Sequence, residues 1–353
     1  MEVNSLLGEA LSAGASDLHL VKGVPPTLRV NGELSFIPEK EVLTKEGVKE
    51  LVFQLLSEEQ KELFLTNKEL DFSFDYQGKA RFRINAYYQR DSMAAALRLI
   101  PKEIRTVEEL NLPAILHQFA KLRQGFILVT GPTGHGKSTT LAAVIDEINQ
   151  NRTCHVVTIE DPIEYVYDHK RAIISQREMH QDTHSWSVAL RSVLREDPDV
   201  VLIGEMRDYE TIASALTIAE TGHLVFATLH TNSAAQTVDR IVDVFPEHQQ
   251  AQVRMQLSAT LEAVLSQRLM PAIEGGRVPG CEILLATPAV RTTIREGKTH
   301  LIDNIIQTSG ELGMMVLESH LAELVKRGVI EVKVAEEYSL RPEMLSKILG
   351  GRK

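Results

Sequence analysis

The sequence predicts an α/β protein whose larger, carboxyl-terminal part contains a parallel sheet and is preceded by a smaller α+β domain. Two observations support this fold class. From about residue 114 onward, short apolar runs alternate with stretches of helical periodicity, the pattern of a parallel sheet covered by helices. Before residue 100, apolar residues instead recur at every second position in two segments, which is typical of half-buried strands.

The composition narrows the class of protein. The 353 residues exceed what one compact core usually holds, so two domains are expected. Hydrophobic residues make up 43% and charged residues 24% of the chain, as in globular proteins. The 48 acidic and 38 basic residues give a net charge of −10, which argues against bulk nucleic-acid binding and favours protein partners.

Cysteines and apolar segments bear on the cellular location. Cys154 and Cys281 lie far apart and give neither a disulfide framework nor a four-cysteine zinc site, which suits a reducing compartment. Residues 1–5 lack the basic and apolar segments of a signal peptide, and no apolar run reaches about 18 residues. We therefore expect a cytoplasmic protein without membrane insertion.

The small domain is predicted over residues 1–100. The dipeptide Asn31-Gly32 favours a two-residue hairpin turn after a strand, because both residues tolerate positive φ. A helix and two further strands are predicted over 44–65, 70–76 and 79–88. In the last of these strands Arg81 and Arg83 share one face, where two solvated charges are an adequate explanation.

A linker and a second domain follow. The segment 101–113 is polar and bounded by prolines, which predicts the linker. The second domain is predicted over 114–353, and its candidate strands are the apolar runs 126–129, 156–159, 200–203 and 224–228. Beyond Pro279 the apolar spacing becomes helical.

A phosphate-binding loop is predicted between the first of these strands and a helix. The segment 131–139 fits the pattern G-x-x-x-x-G-K-[ST], in which glycines let backbone N–H groups point at a phosphate. Lys137 is expected to reach the β- and γ-phosphates, and the Ser138 hydroxyl to hold Mg²⁺. A nucleoside triphosphate is therefore predicted to bind to Gly131, Pro132, Thr133, Gly134, His135, Gly136, Lys137, Ser138 and Thr139.

A second carboxylate is predicted at the end of a buried strand. The run 200–203 and Gly204 place Glu205 at the carboxyl edge of the sheet, where open α/β sheets bind ligands. An acid after a buried strand is commonly a surface residue without a function. In a chain that also carries a phosphate loop, Glu205 is favoured as the acid that holds Mg²⁺ or polarises water.

Acidic and histidine residues follow two other predicted strands. One carboxylate of the group that contains Glu160 and Glu164 is a candidate for orienting the attacking water, the alternative being a solvated turn. His230, after the run 224–228, is a candidate donor to the γ-phosphate, although a structural histidine is the simpler explanation.

With these motifs in order, the sequence resembles the PilT-type retraction ATPases of type IV pili, members of the secretion ATPase superfamily. The resemblance extends over nearly the whole chain. It depends on an ordered set of segments, namely 15–20, 80–83, the phosphate loop, 158–164, 176–178, 190–208 and 221–231. It implies a PAS-like amino-terminal domain and a RecA-like core, assembled as a homo-hexamer with ATP at the subunit boundaries.

The resemblance also implies roles for single residues. Lys137, Ser138 and Thr139 would hold phosphate and Mg²⁺, and Glu205 would be the Walker B acid. Glu164 or Glu160 would be the base that orients water. Arginines of the amino-terminal domain would reach the γ-phosphate, and the matching positions are Arg81, Arg83 and Arg98.

The implied function is retraction of a type IV pilus by ATP hydrolysis coupled to domain rotation. The implied partners are a platform protein at the inner membrane and an accessory retraction ATPase, so the location would be cytoplasmic and peripheral to that membrane through protein contacts. Three alternatives stay open: an accessory retraction ATPase, a pilus extension or type II secretion ATPase, and a nucleotide-sensing scaffold without turnover. The two isolated cysteines argue against the second, whose members usually carry a four-cysteine zinc site.

Departures from the family pattern lie in the phosphate loop and near the carboxyl end. His135 stands where the family usually has Ser, and its side chain is expected to point away from the phosphate, so that binding survives while turnover or its pH dependence differs. Thr292 and Thr293 replace the usual Asn and Leu of the motif associated with retraction, and 313–318 also differs from its usual form. The departures at Thr292 and Thr293 and at 313–318 are expected to leave the catalytic core unaffected.

Overall fold

The computed structural model describes residues 2–30, 32–100 and 103–350. It divides into two compact units, of which the first comprises Met1–Glu103 and Pro162–Val166 and the second Ile104–Asp161 and Tyr167–Lys353. Parts of the sequence predictions lie outside the described ranges: Met1 and 351–353 at the ends of the two predicted domains, Asn31 of the hairpin turn, and Pro101 and Lys102 of the linker.

The first unit contains a six-stranded antiparallel sheet with the order β3-β2-β1-β6-β5-β4. Its strands are β1 (Asp17–Leu20), β2 (Thr27–Val30), β3 (Glu33–Phe36), β4 (Glu69–Tyr76), β5 (Ala80–Gln89) and β6 (Ser92–Ile100). The strands predicted over 70–76 and 79–88 correspond to β4 and β5. Val30 pairs with Glu33 across the predicted hairpin, so the two strands expected there are also confirmed.

Three helices accompany this sheet: α1 (Val3–Ser12), α2 (Lys45–Leu55) and α3 (Glu58–Asn67). The single helix predicted over 44–65 is therefore wrong, because two helices occupy that segment. Leu56 adopts an extended backbone and ends α2, and Ser57 then caps α3. The Ser57 hydroxyl accepts from the backbone N–H of Gln60, whose side chain accepts from that of Ser57, which is a capping box.

The second unit contains a seven-stranded sheet with the order β13-β12-β7-β11-β10-β8-β9. Its strands are β7 (Gly125–Thr130), β8 (His155–Glu160), β9 (Ile173–Glu178), β10 (Val200–Ile203), β11 (Leu224–Leu229), β12 (Leu261–Pro271) and β13 (Arg277–Leu285). Neighbouring strands are parallel except β12 and β13, which are antiparallel. The predicted α/β fold with a mostly parallel sheet is thus confirmed.

The four strands predicted from apolar runs are β7, β8, β10 and β11, which are neighbours at the centre of the sheet. Every residue of β7, β10 and β11 is buried, which explains why their sequences are mainly apolar. The sequence did not predict β9, β12 or β13. The expectation of helix beyond Pro279 is wrong for 280–285, because β13 is an edge strand, where a proline without an N–H group is tolerated.

Helices surround this sheet: α4 (Leu116–Lys121), α5 (Lys137–Asn151), α6 (Trp186–Val193), α7 (Tyr209–Glu220), α8 (Ala234–Asp243), α9 (Glu247–Thr260), α10 (Pro288–Arg295), α11 (Ile302–Thr308), α12 (Leu317–Lys326), α13 (Val332–Tyr338) and α14 (Pro342–Gly350). The last three helices share a separate apolar cluster with β12 and β13, in which Met270 packs with Leu317 and Leu321. Across the part of the chain that the structure describes, none of the helices is both long and apolar enough to traverse a bilayer.

Candidate active site

The predicted phosphate loop connects the end of β7 to the first turn of α5. Its glycines Gly131, Gly134 and Gly136 have φ values of 143°, 78° and 80°, which residues with a side chain rarely adopt. Gly136 is the N-cap of α5, so the loop leads directly into the amino end of a 15-residue helix. The N–H groups of a first helical turn lack partners within the helix and favour an anion there.

The loop packs against β12, a strand that the sequence did not predict. A Cβ atom on Gly131 would lie 2.2 Å from the backbone oxygen of Gln267, so only glycine fits. The Gln267 side chain accepts a hydrogen bond from Thr140 Oγ1 at 2.7 Å and donates from Nε2 to the backbone oxygen of His135 at 2.8 Å. β12 therefore fixes the loop near its beginning and near its end.

The Lys137 ammonium group is held at the loop by backbone oxygens. Its Nζ donates to the oxygen of Gly131 at 2.8 Å and to that of Pro132 at 3.0 Å, and the residue is 8% exposed. Nζ also lies 3.4 Å from Nδ1 of His230. The charge of Lys137 is thereby oriented within the loop, where the motif predicts phosphate.

Glu205 lies beyond the carboxyl end of β10 and is contacted from two sides. Its Oε1 is 2.9 Å from Nε2 of His230, and its Oε2 accepts from Nη2 of Arg207 at 2.7 Å. Burial raises the pKa of Glu205, but the hydrogen bond from Arg207 and the electrostatic influence of the neighbouring His230, Arg207 and Lys137 outweigh it and leave the pKa lowered. The carboxylate is thus ionised at neutral pH, the form that binds divalent cations.

His230 connects this carboxylate to the phosphate loop. While Nε2 faces Glu205, Nδ1 lies 3.3 Å from Thr133 Oγ1 and 3.4 Å from Lys137 Nζ. A carboxylate only accepts and an ammonium only donates, so a neutral imidazole with its proton on Nε2 satisfies both contacts. The structure therefore brings together Lys137, Glu205 and His230, which the sequence predicted from three separate segments.

Glu160 ends β8, the strand beside β10. Its Oε1 accepts from Thr158 Oγ1 at 2.7 Å and from Gln176 Nε2 at 3.1 Å, and the residue is 8% exposed. A Cβ on Gly204 would lie 3.2 Å from Glu160 Cα, so glycine allows β10 to run close to β8 just before Glu205. These contacts anchor the Glu160 carboxylate within the sheet.

The other predicted site residues belong to the first unit. Arg83 Nη1 lies 3.3 Å from Glu164 Oε1, in a pair whose side chains are 38% and 43% exposed. Arg81 donates to a serine hydroxyl of β4 at 2.5 Å, and Arg98 donates from Nε to Asp17 Oδ1 at 2.9 Å. The structure thus brings Arg83 and Glu164 together, and the roles expected for all four residues at a nucleotide stay predictions.

Comparison with known proteins agrees with this geometry. The family described as "Type II/IV secretion system protein" matches residues 2–333, nearly the whole chain. The chain belongs to this secretion system family. The resemblance found in the sequence motifs is thereby confirmed.

Two family relatives and one solved structure are closely similar to the chain. The type IV pilus retractation ATPase PilT of Pseudomonas aeruginosa is 48% identical over 343 residues, which cover 97% of this chain and 99% of that protein. A twitching motility protein of Neisseria gonorrhoeae is 48% identical over 322 residues, covering 91% and 86%. The crystal structure of the pilus retraction motor PilT with bound ADP has a TM-score of 0.92 at 45% identity, covering 98% and 99%.

Two residues of this chain that contact the site, Arg207 and Gln267, were assigned no role from the sequence. Arg207 lies in the segment 190–208 that carried the resemblance, and its position two residues after Glu205 was the available signal. Gln267 lies in β12, where polar residues interrupt the apolar pattern, and it binds Thr140 and His135 from 127 and 132 residues away. The pattern around Gln267 gave no comparable signal.

Proposed function

We propose that this chain is an ATPase whose hydrolysis of ATP powers the retraction of type IV pili. The observation that carries the proposal is that the His230 ring contacts both Lys137 of the phosphate loop and Glu205. Nearly full-length similarity to a pilus retractation ATPase supports the assignment to pili.

The residues of the loop fit the phosphates of a nucleotide. The three glycines with positive φ, together with the amino end of α5, turn backbone N–H groups toward one region. Lys137 adds a positive charge there, and Thr139 follows in the first turn of the helix. A solved structure similar to this chain over 98% of its length is described with bound ADP, which supports a nucleotide at this place.

Mg²⁺ fits the same site. Among the described residues, His, Cys, Asp and Glu side chains form no cluster of three or more suited to a metal ion. Mg²⁺ bound with ATP needs few protein ligands, since phosphate and water oxygens complete its shell. Ser138 and the ionised Glu205 would hold it, and the ion would neutralise charge that develops on the phosphates.

The attacking water needs a carboxylate that it can reach. Glu160 is buried and already accepts hydrogen bonds from Thr158 and Gln176. The Glu164 side chain is 43% exposed. We therefore assign the base to Glu164, with Glu160 as a structural acceptor. Arg81, Arg83 and Arg98 are proposed to stabilise phosphate charge, a role suited to the planar guanidinium group.

The proposed assembly and partners follow from similarity to pilus ATPases. We propose a homo-hexamer with ATP at its subunit boundaries and a platform protein at the inner membrane as the partner that receives the motion. The chain would act in the cytoplasm, at that membrane through protein contacts, alone or with an accessory retraction ATPase.

Hydrolysis is tested on the full chain. Lys137→Ala and Glu205→Ala should each abolish ATP turnover, and Lys137→Ala should also weaken nucleotide binding. Lys170→Ala is the matched control, because the Lys170 ammonium binds Asp146 at 2.7 and 2.8 Å and takes no part in the site. If the wild type hydrolysed ATP no faster than Lys137→Ala, the proposal of an ATPase would be wrong and a nucleotide-binding scaffold would be favoured.

The direction of the motor is tested in the host. Deletion of the gene should leave excess surface pili and no surface motility, and a gene with Lys137→Ala should not restore motility. Bald cells would contradict retraction and favour extension. Normal motility after deletion would favour an accessory motor.

A further inference from the structure

We propose that His135 is a positioning residue of the phosphate loop, which holds the loop against β12 only while its imidazole is neutral and thereby makes ATP turnover depend on pH. The proposal rests on the proposed ATPase function. It concerns a residue within the loop motif whose side chain points away from the phosphate-binding backbone, toward Leu269.

The geometry fixes the protonation of one ring nitrogen. The backbone N–H of Leu269, in β12, donates to His135 Nδ1 at 2.9 Å. A peptide N–H cannot accept, so Nδ1 carries no proton in this structure and the ring proton lies on Nε2. The backbone oxygen of His135 also accepts from Gln267 Nε2 at 2.8 Å. His135 is therefore bound to β12 through its side chain and through its backbone.

The charged groups around the ring oppose its protonation. Burial is the largest effect and lowers the pKa of His135. The positive charges of Arg268 on β12, Lys137 at the start of α5 and Arg277 at the start of β13 lower this pKa further. The neutral form is thus favoured down to a pH below the ordinary histidine value of 6.5.

Protonation would reverse the contact to β12. Both ring nitrogens of an imidazolium donate, so Nδ1–H would face the N–H of Leu269 with no acceptor between them. The new charge would also lie near Lys137, whose ammonium group the loop must hold in place for phosphate. Because Gly131 already touches the backbone of Gln267, the loop has little freedom to absorb such a shift.

The test compares the wild type with His135→Asn and His135→Ala. The amide oxygen of asparagine replaces Nδ1 as an acceptor for Leu269 but does not titrate. At pH 8 His135→Asn should lose less turnover than His135→Ala, which lacks the acceptor and should fall about fivefold, the effect of one hydrogen bond. Below the pKa of His135, wild-type kcat should fall by about tenfold per pH unit relative to His135→Asn.

Identical pH profiles of kcat for the wild type and His135→Asn would overturn the proposal while leaving the ATPase function intact. A second measurement does not need turnover: the imidazole ¹⁵N shifts of histidine-labelled protein, with the His135 signal identified by its loss in His135→Asn. A proton on Nδ1 at pH 8 would also overturn it. If the wild type has no ATP turnover at any pH, the proposed function fails. The role of His135 is then decided by the imidazole ¹⁵N spectrum together with the pH dependence of ADP affinity.

Discussion

Nε2 of His230 lies 2.9 Å from Oε1 of Glu205, while the other nitrogen of the same ring lies 3.4 Å from Nζ of Lys137. One imidazole thus joins the carboxylate expected at Mg²⁺ to the ammonium expected at the γ-phosphate. A change at either group alters the hydrogen bond on the other side of the ring, because the neutral imidazole has one donor and one acceptor.

His230→Ala should therefore reduce ATP turnover by about 10²-fold, the usual cost of removing one preorganised polar group, with a smaller change in nucleotide affinity. Steady-state hydrolysis and ADP binding measure the two effects. His223→Ala is the matched control, since His223 lies before the first residue of β11 and contacts Thr221 and the backbone of Ile218. Equal losses in both variants would point to the fold of β11 rather than to the site.

Gly131→Ala should destabilise the second unit by about 3 kcal/mol or more, because it combines a disfavoured φ with a Cβ placed 2.2 Å from the Gln267 oxygen. Gly134→Ala has a positive φ of 78° but nothing within 4 Å of its Cβ, so it should cost about 1 kcal/mol. Urea unfolding followed by the single tryptophan, Trp186, measures both. Similar urea midpoints of unfolding for the two variants would show that β12 moves enough to accommodate the added methyl group.

Glu282 is a buried carboxylate whose effect on stability should depend on pH. It lies in β13, is 1% exposed, and its Oε1 accepts from the backbone N–H of Ala234 at 2.8 Å, at the start of α8. Burial raises the pKa of Glu282 from 4.5 to about 7; the Ala234 hydrogen bond and Arg341 oppose this shift, and the nearby Asp303 and Glu318 add to it. The folded protein therefore binds more protons than the unfolded chain between these values.

The stability that this residue contributes is fully present below pH 4.5 and is lost as the pH rises through about 7. Glu282→Gln keeps an acceptor for Ala234 without a charge. Relative to the wild type, its free energy of unfolding should rise by roughly 2 kcal/mol between pH 5 and pH 8. Urea unfolding at both pH values checks this, with Glu274→Gln in the exposed turn after β12 as the control. A constant difference would contradict the prediction.

Glu164→Gln should lower turnover by about 10²-fold or more and leave folding intact, because an exposed pair such as that with Arg83 contributes about 0–1 kcal/mol. Glu160→Ala should instead lower the unfolding midpoint, since it removes the buried acceptor of Thr158 and Gln176. Hydrolysis and urea unfolding of both variants separate the roles. Full turnover in Glu164→Gln would remove Glu164 as the base.

The parts of the fold that the sequence predicted are those whose cause is local. The central strands are buried on both faces, so their residues read as apolar runs, and the phosphate loop has a fixed spacing set by its own backbone. The capping box of Ser57 and Gln60 is a local signal too, but the apolar spacing that precedes it suggested one continuous helix over 44–65.

The parts that the sequence did not predict depend on distant partners. Gln267 is polar yet 3% exposed, because it binds Thr140 and His135, and a pattern that expects apolar residues in buried strands cannot anticipate this. The contact between Arg83 and Glu164 joins residues 81 positions apart. The sequence motifs and the family resemblance predicted the candidates, and the tertiary structure selects the pairs they form.

β12 packs against both the phosphate loop and the carboxyl-terminal helices. Its Gln267 contacts Gly131 of the loop, and Met270, three residues later, packs with Leu317 and Leu321. The helices are for this reason not a separable module. In a chimera that exchanges them with those of a homologous protein, a junction placed after β13 would set foreign helices on a native strand that also supports the loop. A junction before residue 261 would transfer strand and helices as one block and preserve their packing.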